Sequence, residues 1–392
     1  MKRVVIVCLA LLLCGCAAIK PAPAETTPEP TTTAAPTTPP PTTAAPTTPA
    51  PTTPEPTQPP DPAQDILDTM TVEEKVGQLF LAYCDEDTAL RDIERYHPGG
   101  FVLFSHNTRN ETPDSLLSKL QSYQSAAKIP MLIAVDEEGG TVTRISCYTA
   151  FRSSKFPSPR DAFAQGGMEG ALEIEREKSE LLASLGINVN LAPVCDVTQN
   201  PAAFMYKRSL GQDAETTGSF VAQTVKIMKE AGVGSCLKHF PGYGENTDTH
   251  VGIAVDNRSL EALESVDLVP FQAGIDAGCG AVMVTHTYIN AIDPDYPATL
   301  SPAVHAYLRE EMGFSGVIVT DDLAMKAITS RYGAGEAAVL AVLAGNDLLC
   351  STEYTAQYNA VLSAVKEGQI PMEMLDDAVK RVLQWKIDLG LI

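Results

Sequence analysis

The sequence predicts an α/β fold: a (β/α)8 TIM-type barrel preceded by a signal peptide and a disordered Pro/Thr-rich linker. Three observations carry this. From Asp61 onward, eight short apolar runs alternate with longer amphipathic stretches of helical period. The roughly 330 residues involved suit one such barrel with a few long loops. Five of the eight runs end in polar residues able to do chemistry, and the carboxyl ends of strands are where barrels of this kind build their sites.

In chain order, the strand candidates are Gln78–Tyr83, Gly100–Phe104, Met131–Val135, Val189–Pro193, Gly234–Lys238, Ala281–Thr285, Gly316–Thr320 and Asp347–Cys350. Helical stretches fall at Asp114–Ala127, Met168–Leu185, Thr216–Ala231, Ser259–Ala277, Pro302–Met312 and Ala334–Ala344, with Glu353–Glu367 and Pro371–Leu389 after the last strand. Thr71 and Glu74 have capping-box spacing and open an earlier helix. A doubly wound open sheet is the rival architecture. No GxGxxG turn after a first strand supports a dinucleotide-binding version of it.

Residues 1–61 read differently. Lys2 and Arg3 precede the apolar run Val4–Leu13, which is too short to span a bilayer and suits a signal-peptide core. Leu13-Cys14-Gly15-Cys16 resembles a bacterial lipobox, so residues 1–15 are expected to be a lipoprotein signal peptide and Cys16 the lipid-attachment residue. An ordinary secretory signal is the alternative. Residues 16–61 are expected to be lipidated Cys16 and a disordered linker, with TTAAPTTP occurring twice. About 40 such residues at ~3.1 Å each reach on the order of 100 Å when extended. That suits a spacer holding residues 62–392, the catalytic barrel, away from the extracellular face of a cell membrane.

The net charge of −21, from 28 basic and 49 acidic residues, argues against nucleic acid and against electrostatic docking on anionic lipid. Six cysteines lie beyond the signal, far apart and without a CxxC pair, and read as isolated buried thiols.

The strand ends supply the site candidates. The third ends in Asp136-Glu137-Glu138-Gly139-Gly140, the fourth near Asp196, the fifth in Lys238-His239, the sixth in His286 and the seventh in Asp321-Asp322. Asp321 follows Val317–Thr320 and stands at the expected mouth, as a nucleophile, base or metal ligand. Side chains alternate along a strand, so Asp322 points elsewhere and caps the next helix. The loop KHFPGYGENTDTH, 238–250, places Asp248 and His250 two residues apart. An Asp beside an imidazole fixes its tautomer and supports its cationic form, which makes a proton-transfer dyad. Lys238 and His239 read as oxygen-binding groups. A zinc site from His239, His250 and His286 has no HxH or HExxH spacing behind it, and nothing in the sequence calls for a metal or organic cofactor.

KHFPGYGENTDTH resembles the KHFPGHG…D-S-H signature of family 3 glycoside hydrolases, in their β-N-acetylhexosaminidase branch. AVDEEGGTVTRI resembles that branch's (I/V)DQEGGRVxR, LAPVCDVTQNP followed by KRSLG its NLAPVxDVxxNP…RSFG, and PATLSPAVHAYLREEMGFSGVIVTDDLAMKAI its PATLS…LR…LGFxGVIxTDDLxM. The similarity runs from about Gln64 to the C-terminus. It implies a retaining exo-β-N-acetylglucosaminidase in which Asp321 is the nucleophile and His250, supported by Asp248, is the acid/base. Retaining enzymes usually use two carboxylates ~5–5.5 Å apart; here a loop histidine replaces one. The resemblance further implies that Asp136, Arg144, Arg208, Lys238 and His239 bind the sugar, with Asp136 taking two hydroxyls and Arg208 and Lys238 hydroxyl or acetamido oxygens.

The sequence departs from the signatures at Tyr243 (for His), Thr249 (for Ser), Thr141 (for Arg) and Leu210 (for an aromatic). Sequence after the eighth strand is short, which points to the single-domain branch. The expected partner is a GlcNAc-containing glycan, from cell wall or a related source, acted on by a monomer held to the membrane only through lipid. The rival functions are a β-N-acetylglucosaminide phosphorylase or other β-glycosidase on the same fold, and a non-catalytic glycan-binding lipoprotein.

Overall fold

The computed structural model describes residues 60–246 and 248–392. The expected signal peptide, Cys16 and the linker as far as residue 59 lie outside them. Eleven strands follow in order: β1 (Phe80–Tyr83), β2 (Gly100–Leu103), β3 (Leu132–Val135), β4 (Val189–Asn190), β5 (Gly234–Phe240), β6 (Val255–Asp256), β7 (Ala281–Val284), β8 (Tyr288–Ile289), β9 (Asp293–Pro297), β10 (Val317–Thr320) and β11 (Leu349–Ser351). Eight of them pair in parallel in the order β10-β7-β5-β4-β3-β2-β1-β11. A parallel bridge between Val319 and Leu348 joins β10 to the segment entering β11, so the sheet closes on itself. Closure excludes the open doubly wound sheet and establishes the barrel.

All eight expected barrel strands form, with no end displaced by more than three residues. The helical stretches also form. Thr71 and Glu74 make the reciprocal capping box at the start of Val72–Gln78. The stretch expected at Met168–Leu185 begins earlier, at Pro159, because Ser158 caps it; Gly167, with φ 61°, joints it. Helices Pro62–Leu67 and Ala89–Tyr96 have no counterpart in the sequence reading. Neither has the three-stranded sheet β6-β8-β9. Its strands are two to five residues long, too short to show a period.

Alternation along the strands sorts side chains between lumen and helix layer. Leu81, Val102, Ala134, Cys236, Met283, Val319 and Cys350 share one cluster inside the barrel. Trp385, on the last helix (Met372–Asp388), belongs to the same cluster. A Cβ on Gly280 would lie 2.0 Å from Trp385 Nε1, and one on Gly234 2.9 Å from its ring. Bare backbone at the amino ends of β5 and β7 therefore admits the indole. The opposite, carboxyl end of the strands is left for a site.

Five of the six cysteines beyond the signal are buried and all are free, but Cys147 is exposed. It sits in the irregular segment after Arg144 rather than in a strand, which corrects the expectation of buried thiols throughout. Among the described residues no helix is long and apolar enough to cross a membrane.

Lys386 is fully buried, its Nζ donates to Gln78 Oε1 at 2.6 Å, and among the described residues no carboxylate pairs with it. Burial pushes its pKa down to about 7. In the unfolded chain the same amine titrates near ~10.4. Between those values the unfolded state binds the extra proton, so this group's contribution to stability rises with pH from about 7 upward and is lost as pH falls. The difference in Tm, wild type minus Lys386→Met, is expected to increase between pH 7 and 9.5. A constant difference across that range would show that Lys386 is already charged in the fold.

Candidate active site

The next lumen-facing position beyond Ala134 in β3 is Asp136; beyond Cys236 in β5 it is Lys238; beyond Val319 in β10 it is Asp321. Strand period alone thus brings these three to one layer at the mouth. Lys238 Nζ donates to Asp136 Oδ1 at 2.7 Å and lies 2.7 Å from Glu138 Oε1. Glu138 also takes a bidentate pair from Arg208, at 2.9 Å from Nε and 2.6 Å from Nη2. Burial alone would raise the Glu138 pKa, but the Arg208 and Lys238 charges outweigh it and hold the carboxyl well below the usual range. Burial likewise disfavours the Lys238 ammonium, and Asp136 and Glu138 overcome this to raise its pKa. The result is a cluster of two basic side chains and two carboxylates joined by ion pairs at the mouth.

His239 is locked into this cluster. Arg208 Nη2 is 3.0 Å from His239 Nε2, and a guanidinium only donates. Nε2 is therefore the acceptor, and Nδ1–H donates to Asp196 Oδ2 at 2.9 Å. Both ring nitrogens are engaged, so His239 orients Arg208 instead of offering the mouth a free donor. Asp196 Oδ1 meanwhile takes the Tyr243 N–H at 2.8 Å.

Glu137, buried between the two acidic neighbours, folds the next segment. Its carboxylate accepts from the Arg144 and Ile145 N–H groups at 2.7 and 2.8 Å. That brings Arg144 to the mouth, 3.7 Å from Asp136, with its guanidinium 5.7 Å over the Phe104 ring. Arg144 Nε is buried with no partner among the described residues, a donor available to a ligand.

Asp321 is half-buried at the end of β10, and its Oδ1 accepts the Asp322 N–H at 2.9 Å. Burial opposes its charge, but His286, that N–H and His250 together lower its pKa. It is an ionised carboxylate at neutral pH. Asp322 turns away, but it does not cap the next helix as expected: that helix, Lys326–Thr329, starts after Met325 without a side-chain cap, and Asp322 instead closes the turn before it by accepting the Ala324 N–H at 2.9 Å. His286 is buried; its Nε2–H donates to the Asp322 carbonyl at 2.9 Å and its Nδ1 meets Thr299 Oγ1 at 2.8 Å. It braces the backbone that carries Asp321. With His239 and His286 so engaged, the three histidines do not converge as a zinc site. Among the described residues no group of three or more His, Cys, Asp or Glu side chains is arranged to hold a metal ion.

The loop after β5 comes from the far side. Gly242 and Gly244 have φ 115° and 52°, and a Cβ on either would strike Asp267 or Arg258, so the turn needs both glycines. The loop crosses the end of β7 and reaches the segment after β10, where the Ala327 N–H donates to the Thr249 carbonyl at 3.2 Å. That contact brings His250 to the side of the mouth that carries Asp321. The dyad is formed: Asp248 Oδ1 is 2.7 Å from His250 Nδ1 and accepts the His250 N–H at 2.9 Å. Nδ1–H then points to Asp248 and leaves Nε2 for substrate. The imidazole is 59 % exposed, as a group that must meet a ligand requires.

The structure thus gathers Asp136, Lys238, Asp321 and the Asp248–His250 dyad around one mouth, with Arg144 and Arg208 beside them, while Asp322 turns away. Glu138 and Asp196 complete it. In the sequence both stand at strand ends with no role attached, and the run of three acids in DEEGG is the available signal for Glu138.

Replacing Glu138 with Gln leaves Arg208 and Lys238 buried with one carboxylate between them. Breaking a buried pair in this way costs roughly 3–5 kcal/mol. The urea midpoint should fall accordingly, and an unchanged midpoint would mean that the cluster does not hold the mouth together.

Residues 71–385 match the glycosyl hydrolase family 3 N-terminal domain. The chain is 30 % identical over 329 residues to the β-hexosaminidase LpqI of Mycobacterium tuberculosis, covering 81 % of this chain and 83 % of that one. It is 36 % identical over 269 residues to a β-hexosaminidase of Xanthomonas campestris, covering 66 % and 78 %. Its fold is similar to that of a family 3 β-N-acetylglucosaminidase from Paenibacillus sp. FPU-7, with a TM-score of 0.77 and 36 % identity. That match covers 82 % of this chain and 63 % of the Paenibacillus protein. On the barrel, the site and these matches together, the chain belongs to glycosyl hydrolase family 3.

Proposed function

We propose that the protein is a β-N-acetylhexosaminidase that removes terminal GlcNAc from cell-wall-derived or related glycans, with retention at the anomeric carbon. The observation that carries the reading is the Asp248–His250 dyad held on the Asp321 side of a mouth whose other wall is a charged clamp. Asp321 attacks the anomeric carbon; His250 delivers its Nε2 proton to the leaving oxygen as the bond breaks. A glycosyl-Asp321 ester forms. His250, now neutral, takes a proton from water, which attacks the same carbon and frees the sugar. Asp248 stabilises the imidazolium at each turn. Asp136, Arg144, Arg208 and Lys238 hold sugar hydroxyl and acetamido oxygens, and His239 aims Arg208. The relatives named β-hexosaminidase and β-N-acetylglucosaminidase support the choice of sugar.

A chromogenic β-N-acetylglucosaminide tests this. Wild type should turn it over, and Asp321→Asn should lose on the order of 10³-fold or more in kcat, as loss of a covalent nucleophile does, while still binding GlcNAc. Binding without turnover by the wild type would make the protein a glycan-binding module instead. A sugar phosphate as the main product in phosphate buffer would make it a phosphorylase.

We further propose export and lipid anchoring through Cys16, with residues 16–61 as a spacer at the outer face of the cell membrane. The support is the Lys2-Arg3 and Val4–Leu13 pattern ahead of Leu13-Cys14-Gly15-Cys16. The mass of the mature N-terminal peptide should show acylated Cys16, and Cys16→Ser should shift the protein from the detergent phase to the aqueous phase. An unmodified Cys16 in the mature protein would end this proposal and leave the enzymatic one standing.

A further inference from the structure

His250 is 59 % exposed, so packing of its own ring does not settle where it stands. Its neighbour Thr249 is fully buried, and so is Tyr243, six residues earlier in the same loop. Their hydroxyls share a hydrogen bond at 2.5 Å. Both residues are among the departures from the family signature noted above, Tyr for His and Thr for Ser, and here the two departures meet each other.

Tyr243 is also fixed at its other end. Its N–H donates to Asp196 Oδ1 at 2.8 Å, while Asp196 Oδ2 holds His239 at 2.9 Å. Its ring stands edge-on to His239 and to Phe204, with centroids 5.2 and 5.3 Å away. On the far side, the Thr249 carbonyl takes the Ala327 N–H. A continuous path therefore runs from Glu138 through Arg208, His239, Asp196 and Tyr243 to Thr249, the residue between the two members of the dyad. Burial, with the Asp321 charge beside it, pushes the Tyr243 phenol up, so its proton stays in place across the working range.

We infer that the Tyr243–Thr249 hydrogen bond is a latch that positions His250 over Asp321 by tying the acid/base loop to the sugar clamp. Tyr243 and Thr249 are positioning residues: they act on the reaction through His250. The inference rests on the acid/base role proposed for His250.

Protonation by His250 matters for a poor leaving group, such as a sugar hydroxyl, and hardly at all for a nitrophenolate that departs unprotonated. The test compares kcat/KM on a β-linked GlcNAc disaccharide and on a nitrophenyl β-N-acetylglucosaminide, with the folded fraction set by thermal melts. Tyr243→Phe should lose about tenfold or more on the disaccharide, part of the roughly 10²–10⁴-fold that a general acid contributes, and several-fold less on the nitrophenyl substrate. Thr249→Val should reproduce the pattern, the double variant should be no worse than either single, and Thr249→Ser, which keeps the hydroxyl, should retain the wild-type ratio of the two rates. His250→Ala should show the same selectivity more strongly. Equal losses on both substrates, no loss, or additive losses in the double variant would overturn the latch. If His250→Ala is itself unselective, the acid/base assignment falls first and the latch with it.

Discussion

The site depends on one cluster of charges taken out of water together. Glu138 is bound by Arg208 and Lys238, and Lys238 is shared with Asp136. Any one of these charges alone at that depth would neutralise or force the barrel open, because desolvation of an isolated ion costs more than the fold can supply. Held as a set, they stay ionised and present a rigid polar wall. His239 and Asp196 extend the set by one hydrogen bond each, which turns a local ion cluster into the support of the loop that carries the dyad.

The barrel makes this cluster possible by geometry. Parallel strands of period two place every second side chain in the lumen, and staggered neighbours align those positions in layers. Below the mouth the layers are apolar and end on Trp385. At the mouth the same register turns to Asp136, Lys238 and Asp321. The nucleophile and the clamp are therefore fixed by strands, the most rigid parts of the fold. The acid/base sits on a loop, tied down by few contacts. Pre-organisation is strong where charge must be held and weak where a group must meet and leave a substrate atom.

Much of this was legible in the sequence. Asp321 could be placed because Val317, Ile318 and Val319, followed by Thr320, mark a buried strand before it, and Asp248 with His250 because their spacing sets them side by side. The small sheet β6-β8-β9 was not legible, its strands being too short to carry a period. Glu138 was visible as a residue but not as the centre of the cluster, since its partners Arg208 and Lys238 are 70 and 100 positions away. Tyr243 and Thr249 were visible only as two unrelated departures from a signature.

By itself, the sequence determined the eight strands, the end of the barrel at which chemistry gathers, and which side chains arrive there, because periodicity and strand ends are local properties of the chain. The tertiary structure alone decided which charges neutralise which, which nitrogen of His239 keeps its proton, and how a loop leaving β5 comes to hang beside the end of β10. Those outcomes follow from contacts between residues far apart in sequence, and such contacts have distances only once the chain has closed on itself.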